Sequence, residues 1–354
     1  MLDIFKAAIQ RGASDLHMKA GDFLRARING DLVPLTQQRL LPEQIQQICL
    51  QLIPHERDKA RLDELQDYDC SWGAPGIGRF RVNILRQRGS LMVVMRVIPI
   101  EIPNFEALRL PPVLAGVAHA ERGMVLVTGV TGSGKSSTLA AMIGYINNTR
   151  RKHIITLENP IEFLHRDVNS SITQREIGTD TGTFEKGLTS ALREDPDVIM
   201  IGEMRDTTTI DTAMKAAETG HLVLSTLHTT NAVQTVSRII SVFPPHEQEM
   251  VRARLAENLV AVCSQRLLPR KDGKGRVVAC EIMIVTGTIS DAIMDGERMH
   301  EIYDLMSDGR QQYGSQTFDQ HLRELVEADL VAYEVAKAAA NNPADFELQM
   351  RTLA

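Results

Sequence analysis

Residues 129–136, Gly-Val-Thr-Gly-Ser-Gly-Lys-Ser, constrain this chain more than any other stretch. Two glycines five apart followed by Lys-Ser form the phosphate-loop pattern. Glycine lets backbone amides turn toward phosphate oxygens, and the helix that follows adds partial positive charge. The pattern needs an apolar strand before it and a helix after it. Residues 124–128 supply the strand, and Leu139, Met142, Ile143 and Ile146 give the following segment a helical stripe. The spacing therefore assigns Gly129, Thr131, Gly132, Ser133, Gly134, Lys135, Ser136 and Ser137 to nucleotide binding. Lys135 is expected at the β/γ-phosphates and the Ser136 hydroxyl on a magnesium ion, so ATP and Mg²⁺ are the implied cofactors.

Turnover needs carboxylates near that loop. The apolar run 198–201 ends at Gly202-Glu203. Gly202 stands where many phosphate-loop enzymes place a metal-ligating Asp, so Glu203 is the candidate to hold the ion through water. Thr156-Leu-Glu158-Asn-Pro-Ile-Glu162 follows another apolar strand and offers two more carboxylates. A general base must lie within hydrogen-bond reach of the attacking water, and spacing does not choose between Glu158 and Glu162. His221 and His228 bracket the strand 222–226, where either can position water or report on the γ-phosphate.

The remaining chain divides around a proline cluster at Pro99, Pro103, Pro111 and Pro112, with a boundary expected near residue 110. Before it lies a small α+β region. Leu2, Ile4, Phe5, Ala8 and Ile9 mark a helix face, Asn29-Gly30-Asp31 marks a hairpin, 40–52 and 55–65 read as helices, and 79–85 alternates as a strand. After it, short apolar strands at 124–128, 154–157, 198–201 and 222–226 alternate with helical segments, the pattern of a largely parallel sheet covered by helices. The last hundred residues read as mainly helical, with Phe318, Leu322, Leu325 and Val326 on one stripe. The expected division is 1–98, a linker at 99–112, an α/β core at 113–270 and a helical region at 271–354.

Basic residues number 39 against 45 acidic, and the net charge of −6 argues against a nucleic-acid motor, which usually carries a basic surplus. The four cysteines show no two-residue spacing, so a zinc knuckle is not expected. No apolar run approaches the length of a membrane span and no signal peptide is evident, so a cytoplasmic protein is expected.

Residues 192–206, Leu-Arg-Glu-Asp-Pro-Asp-Val-Ile-Met-Ile-Gly-Glu-Met-Arg-Asp, resemble the signature of the type II secretion and type IV pilus ATPases. Gly12-Ala-Ser-Asp-Leu-His17, Gly78-Arg-Phe-Arg-Val-Asn83, Glu218-Thr-Gly-His221 and Thr226-Leu-His-Thr229 are similar to motifs of the twitching-motility (retraction) branch, the PilT/PilU family. The resemblance spans almost the entire chain. It implies a PAS-like N-terminal domain, a RecA-like ATPase domain and a homohexamer that hydrolyses ATP to pull pilin subunits from the fibre. Implied partners are an inner-membrane pilus platform protein and a second retraction ATPase, with peripheral attachment to the pilus machine. By the same match, Glu162 corresponds to the catalytic glutamate of the family's Asp box, Glu203 to its Walker B glutamate, and His221 and His228 to its His box. Arg81 and Arg96 correspond to arginines that reach a neighbouring subunit's nucleotide. Two departures stand out. Asn159 replaces the family's usual Asp, and Thr288-Ile-Ser-Asp-Ala-Ile293 keeps only the isoleucines of the retraction motif Ala-Ile-Arg-Asn-Leu-Ile. The second departure suggests an accessory motor. An assembly or secretion ATPase is the alternative within the class, and a RecA-type nucleic-acid motor the alternative outside it.

Overall fold

A computed structural model describes residues 2–99 and 101–351, and the chain separates into two compact units. The first comprises Met1–Glu101 together with Pro160–Leu164, and the second Ile102–Asn159 with His165–Ala354.

The first unit is built on six antiparallel strands: β1 (Ala13–Lys19), β2 (Arg25–Ile28), β3 (Asp31–Pro34), β4 (Asp67–Ala74), β5 (Gly78–Gln87) and β6 (Ser90–Ile98). Their order is β3-β2-β1-β6-β5-β4. Asn29 and Gly30 both adopt positive φ between β2 and β3, which gives the turn the twist of its strands. Alternation along β5 sends Phe80, Val82 and Ile84 into a core shared with Phe5, Leu16, Met18 and Met95. The helix Pro42–Leu52 covers that face, but the segment expected as a helix over 55–65 is helical only at Glu56–Lys59. Of that segment only Leu62 is buried, so there is no apolar stripe to anchor a longer helix.

The second unit carries seven strands: β7 (Gly123–Thr128), β8 (His153–Glu158), β9 (Ser171–Glu176), β10 (Val198–Ile201), β11 (Leu222–Leu227), β12 (Leu259–Pro269) and β13 (Arg276–Ile284). The order is β13-β12-β7-β11-β10-β8-β9, parallel throughout except β13, which pairs antiparallel with β12. The central strands are apolar without interruption because both faces are covered. Val125, Val127, Met200 and Leu224 pack against the helix Lys135–Thr149. Met124, Leu126, Ile199, Ile201 and Val223 pack against the helices Thr207–Glu218 and Ala232–Ser241. The chain past residue 271 is therefore not helical from its start: β13 extends the sheet before the helices begin. Among the described residues, no helix is long and apolar enough to cross a membrane.

Where the sheet edge meets the C-terminal helices, charge is buried. The Arg266 guanidinium stacks 3.8 Å from the Phe318 ring centroid and donates to Asn341 Oδ1 at 2.7 Å. Glu281, only 2% exposed, accepts the Ala232 amide at 2.8 Å, at the start of the helix Ala232–Ser241. Burial pushes its carboxyl from the ordinary 4.5 up to about 7, against the lowering pull of the Ala232 amide, Arg266 and Asn341. A carboxyl held higher in the folded than in the unfolded chain favours folding while protonated. That contribution is complete below 4.5 and is lost as pH rises through about 7. Glu281→Gln keeps an acceptor for Ala232 without the charge. Its stability relative to wild type should rise by about 3 kcal/mol from pH 4.5 to beyond pH 7, read by urea unfolding across that range. A pH-independent difference would contradict the assignment.

Candidate active site

Parallel pairing places Thr128 of β7 opposite Leu227 of β11, and Ile201 of β10 opposite both Ser225 of β11 and Leu157 of β8. The segments that follow these strands therefore leave along one sheet edge, where open α/β sheets bind ligands. Gly129, His228, Gly202-Glu203 and Glu158 all lie on that edge.

The phosphate loop is shaped by close approach. Gly129 has φ of +141°, and a Cβ there would lie 2.5 Å from the Gln265 carbonyl and 2.6 Å from Ser133 Oγ. Gly134, at φ of +96°, caps the helix Lys135–Thr149. Lys135 is 9% exposed, and its ammonium donates to the carbonyls of Gly129 at 2.8 Å and Val130 at 3.1 Å. Thr131 and Gly132 are exposed, and Ser136 and Ser137 are half-buried in the first helical turn. Ser133 is buried, and its hydroxyl has no hydrogen-bond partner among the described residues. Such groups are rarely left unpaired. A bent loop of amides, a buried orphan hydroxyl, a lysine and a helix N-terminus together fit an anionic phosphate chain. Gln265 supports this loop from β12 and was not singled out from sequence. Its Nε2 donates to Thr138 Oγ1 at 2.7 Å, while Thr128 and Ser264 share a hydroxyl hydrogen bond at 2.8 Å.

Next along the edge stands Glu203. Its Oε2 lies 2.7 Å from Arg205 Nε and 3.5 Å from His228 Nε2. Gly202 has a steric reason to be glycine: a Cβ would sit 3.3 Å from the Leu157 carbonyl, a tight fit against the end of β8. Two hydroxyls lace β11 to this turn. Ser225 Oγ donates to the Ile201 carbonyl at 2.8 Å, and Thr226 Oγ1 to the Gly202 carbonyl at 2.6 Å. Downstream, Asp206 caps the helix Thr207–Glu218 by accepting the Thr209 amide at 2.8 Å. Glu158, 7% exposed, accepts from Thr156 Oγ1 at 2.7 Å and from Gln174 Nε2 at 3.0 Å.

Within the second unit, His221 is separated from this group. His221 precedes β11 rather than following it. Six strand residues put it about 20 Å from His228, on the opposite sheet edge. There its Nδ1 lies 2.8 Å from the Ala216 carbonyl and 3.2 Å from Thr219 Oγ1. Glu162 is exposed and falls in Pro160–Leu164, grouped with the first unit. Arg81 and Arg96 are direct cross-strand partners on β5 and β6. Arg96 Nε donates to Asp15 Oδ1 at 2.9 Å. Burial of Asp15 raises its carboxyl, but hydrogen bonds from Arg96 and Ser14 outweigh that and hold it below the ordinary value.

A family profile described as type II/IV secretion system protein matches residues 2–337. The type IV pilus retraction ATPase PilT of Pseudomonas aeruginosa is 42% identical, across 97% of this chain and 99% of that protein. The type IV pilus ATPase PilU of the same organism is 41% identical, across 98% of this chain and 90% of its own length. A crystal structure of the pilus retraction motor PilT with bound ADP matches with a TM-score of 0.90 at 44% identity, covering 98% of each chain. By profile, by sequence and by fold, this chain belongs to the type II/IV secretion system protein family and is similar over nearly its whole length to the pilus retraction ATPases.

Proposed function

We propose that this chain is a motor ATPase that works as a homohexamer and converts ATP hydrolysis into retraction of type IV pili. The observation that carries the reading is the shared edge: a phosphate loop beside the Glu203–His228 pair, in a chain similar throughout to PilT and PilU. Amides of 132–136 hold the β/γ-phosphates of ATP, and Lys135 exchanges the Gly129 and Val130 carbonyls for phosphate oxygens. Ser136 and Glu203 would hold Mg²⁺, which when bound would supply charge neutralisation for the transferring phosphoryl group. Glu162 is the general base by its match to the family's Asp box. His228, within reach of Glu203, reports on the γ-phosphate. Arg81 and Arg96 act on a neighbouring subunit's nucleotide. The two arginines are direct cross-strand partners, and Asp15 pairs with Arg96. His221 drops out of the set within one subunit because of its place on the far edge. The motor is cytoplasmic, docks on the inner-membrane platform protein and has a second retraction ATPase as a partner.

An accessory role is favoured by the helix Gly287–Met294. Ile289, Ala292 and Ile293 are buried, so the two retained isoleucines keep the packing. Ser290 Oγ donates to the Ala256 carbonyl at 2.8 Å, while Asp291 is exposed. Relative to Arg-Asn in the retraction motif, Ser-Asp loses a positive charge and gains a negative one. An acidic partner surface therefore docks less well.

Glu162→Gln should retain nucleotide binding while phosphate release falls about 100-fold or more, because an amide cannot take the proton. Unchanged turnover would move the base to Glu158 or Glu203. Mixed rings test the arginines. Glu162→Gln and Arg81→Ala chains, each inactive alone, should regain activity together, since some interfaces pair an intact base with an intact arginine. No recovery in verified mixed rings argues against Arg81 acting across subunits. In cells with this chain as the sole retraction-type ATPase, labelled pili should retract rarely and recover when a second motor is restored. Frequent retraction at ordinary force would exclude the accessory role.

A further inference from the structure

β8 and β9 pair in parallel with Thr156 opposite Gln174. Glu158, two residues beyond Thr156, falls on the same face. Its Oε1 accepts from Thr156 Oγ1 at 2.7 Å and from Gln174 Nε2 at 3.0 Å. The other end of the Gln174 carboxamide works in the opposite sense, its Oε1 accepting the His165 amide at 2.8 Å. Between Glu158 and His165 runs the segment 159–164, which contains Glu162. One carboxamide thus ties both stems of that loop. A second continues the strap: Asn147 Nδ2 donates to the Arg166 carbonyl at 2.7 Å and its Oδ1 accepts the Val168 amide at 3.0 Å.

We propose that Gln174 is a positioning residue for ATP hydrolysis, clamping the two stems of the 158–165 loop so that Glu162 is presented in one geometry. The proposal rests on Glu162 being the base, and it makes Glu158 an anchor. The chemistry selects a carboxamide. A carboxylate needs a donor and a backbone amide needs an acceptor, and a glutamine carries both at a fixed separation. Glutamate at this position would face Glu158 with like charge, methionine offers neither group, and asparagine is one methylene short. Without that tie the two stems, and the segment between them, sample more conformers. Misplacing a reacting group by about 1 Å costs on the order of 100-fold in rate.

The test uses the purified full-length protein. Gln174→Met and Gln174→Glu should each lower kcat about ten- to hundredfold. Affinity for a fluorescent ADP analogue should stay near wild type in both, and the melting temperature near wild type in Gln174→Met, which a general structural role would not allow. The exchange Glu158→Gln with Gln174→Glu restores a donor facing an acceptor and still receives the His165 amide, so kcat should recover most of the loss. On a Glu162→Gln background, Gln174→Met should not lower the residual rate further, because both act on one step. If Gln174→Met melts early, Gln174→Asn replaces it, with the same expected loss of kcat. Wild-type kcat in the single variants, an exchange no better than Gln174→Glu alone, or an added loss on the Glu162→Gln background overturns the clamp. Normal turnover by Glu162→Gln alone is a separate failure, that of the base assignment.

Discussion

Parallel pairing of β7, β11, β10 and β8 decides where chemistry can occur in the second unit. Each strand is buried on both faces, so its side chains serve packing, and functional groups are confined to the strand ends. Because the strands share one direction, the segment after each emerges on the same edge. The phosphate loop, Glu203, His228 and Glu158 are neighbours for that reason, although about 100 residues of sequence separate the first from the third. By the same rule His221 lies at the other end of a strand only six residues long.

That edge is held by hydroxyls and carboxamides rather than by ion pairs alone. Ser225 and Thr226 fasten the carbonyls before Glu203, Gln265 props the phosphate-loop helix at Thr138, and Gln174 ties Glu158 to the His165 amide. Neutral donors and acceptors suit a site that receives an anionic ligand. They satisfy buried backbone groups without adding fields that compete with a nucleotide. The long signature at 192–206 divides in this light. Glu203 and Arg205 stand on the reactive edge. Glu194, paired with Arg175 at 2.8 Å, and Asp197, accepting the His153 amide at 2.9 Å, secure the sheet elsewhere.

What the sequence disclosed follows the same physics. The phosphate loop was legible because backbone geometry demands glycine at fixed places, and the central strands because burial on both faces makes them continuously apolar. β9 was not, since an edge strand reading Ser-Ile-Thr-Gln-Arg-Glu has no apolar run. The polar Ser264, Gln265 and Arg266 interrupt β12, yet Ser264 and Gln265 are buried and hydrogen-bonded beneath the phosphate loop. Gln174 carried no local signal, because its partners are fixed by strand pairing. Nor did spacing reveal that 160–164 groups with the first unit, a fact of tertiary contact. His221 and His228 looked equivalent because a sequence does not say which end of a strand faces the ligand.

The two sides of the helix Gly287–Met294 are under different constraints. Its buried side, Ile289, Ala292 and Ile293, belongs to the same apolar core as Met124, Leu126 and Ile201, strands that lead to the phosphate loop and Glu203. Changes there would disturb packing beneath the catalytic edge. Its outer positions, Thr288 and Asp291, are exposed, so the core does not restrict them. Packing therefore restricts the isoleucines and leaves the outward residues unrestricted. A chain can keep the first set and alter the second, as this one does relative to the retraction motif.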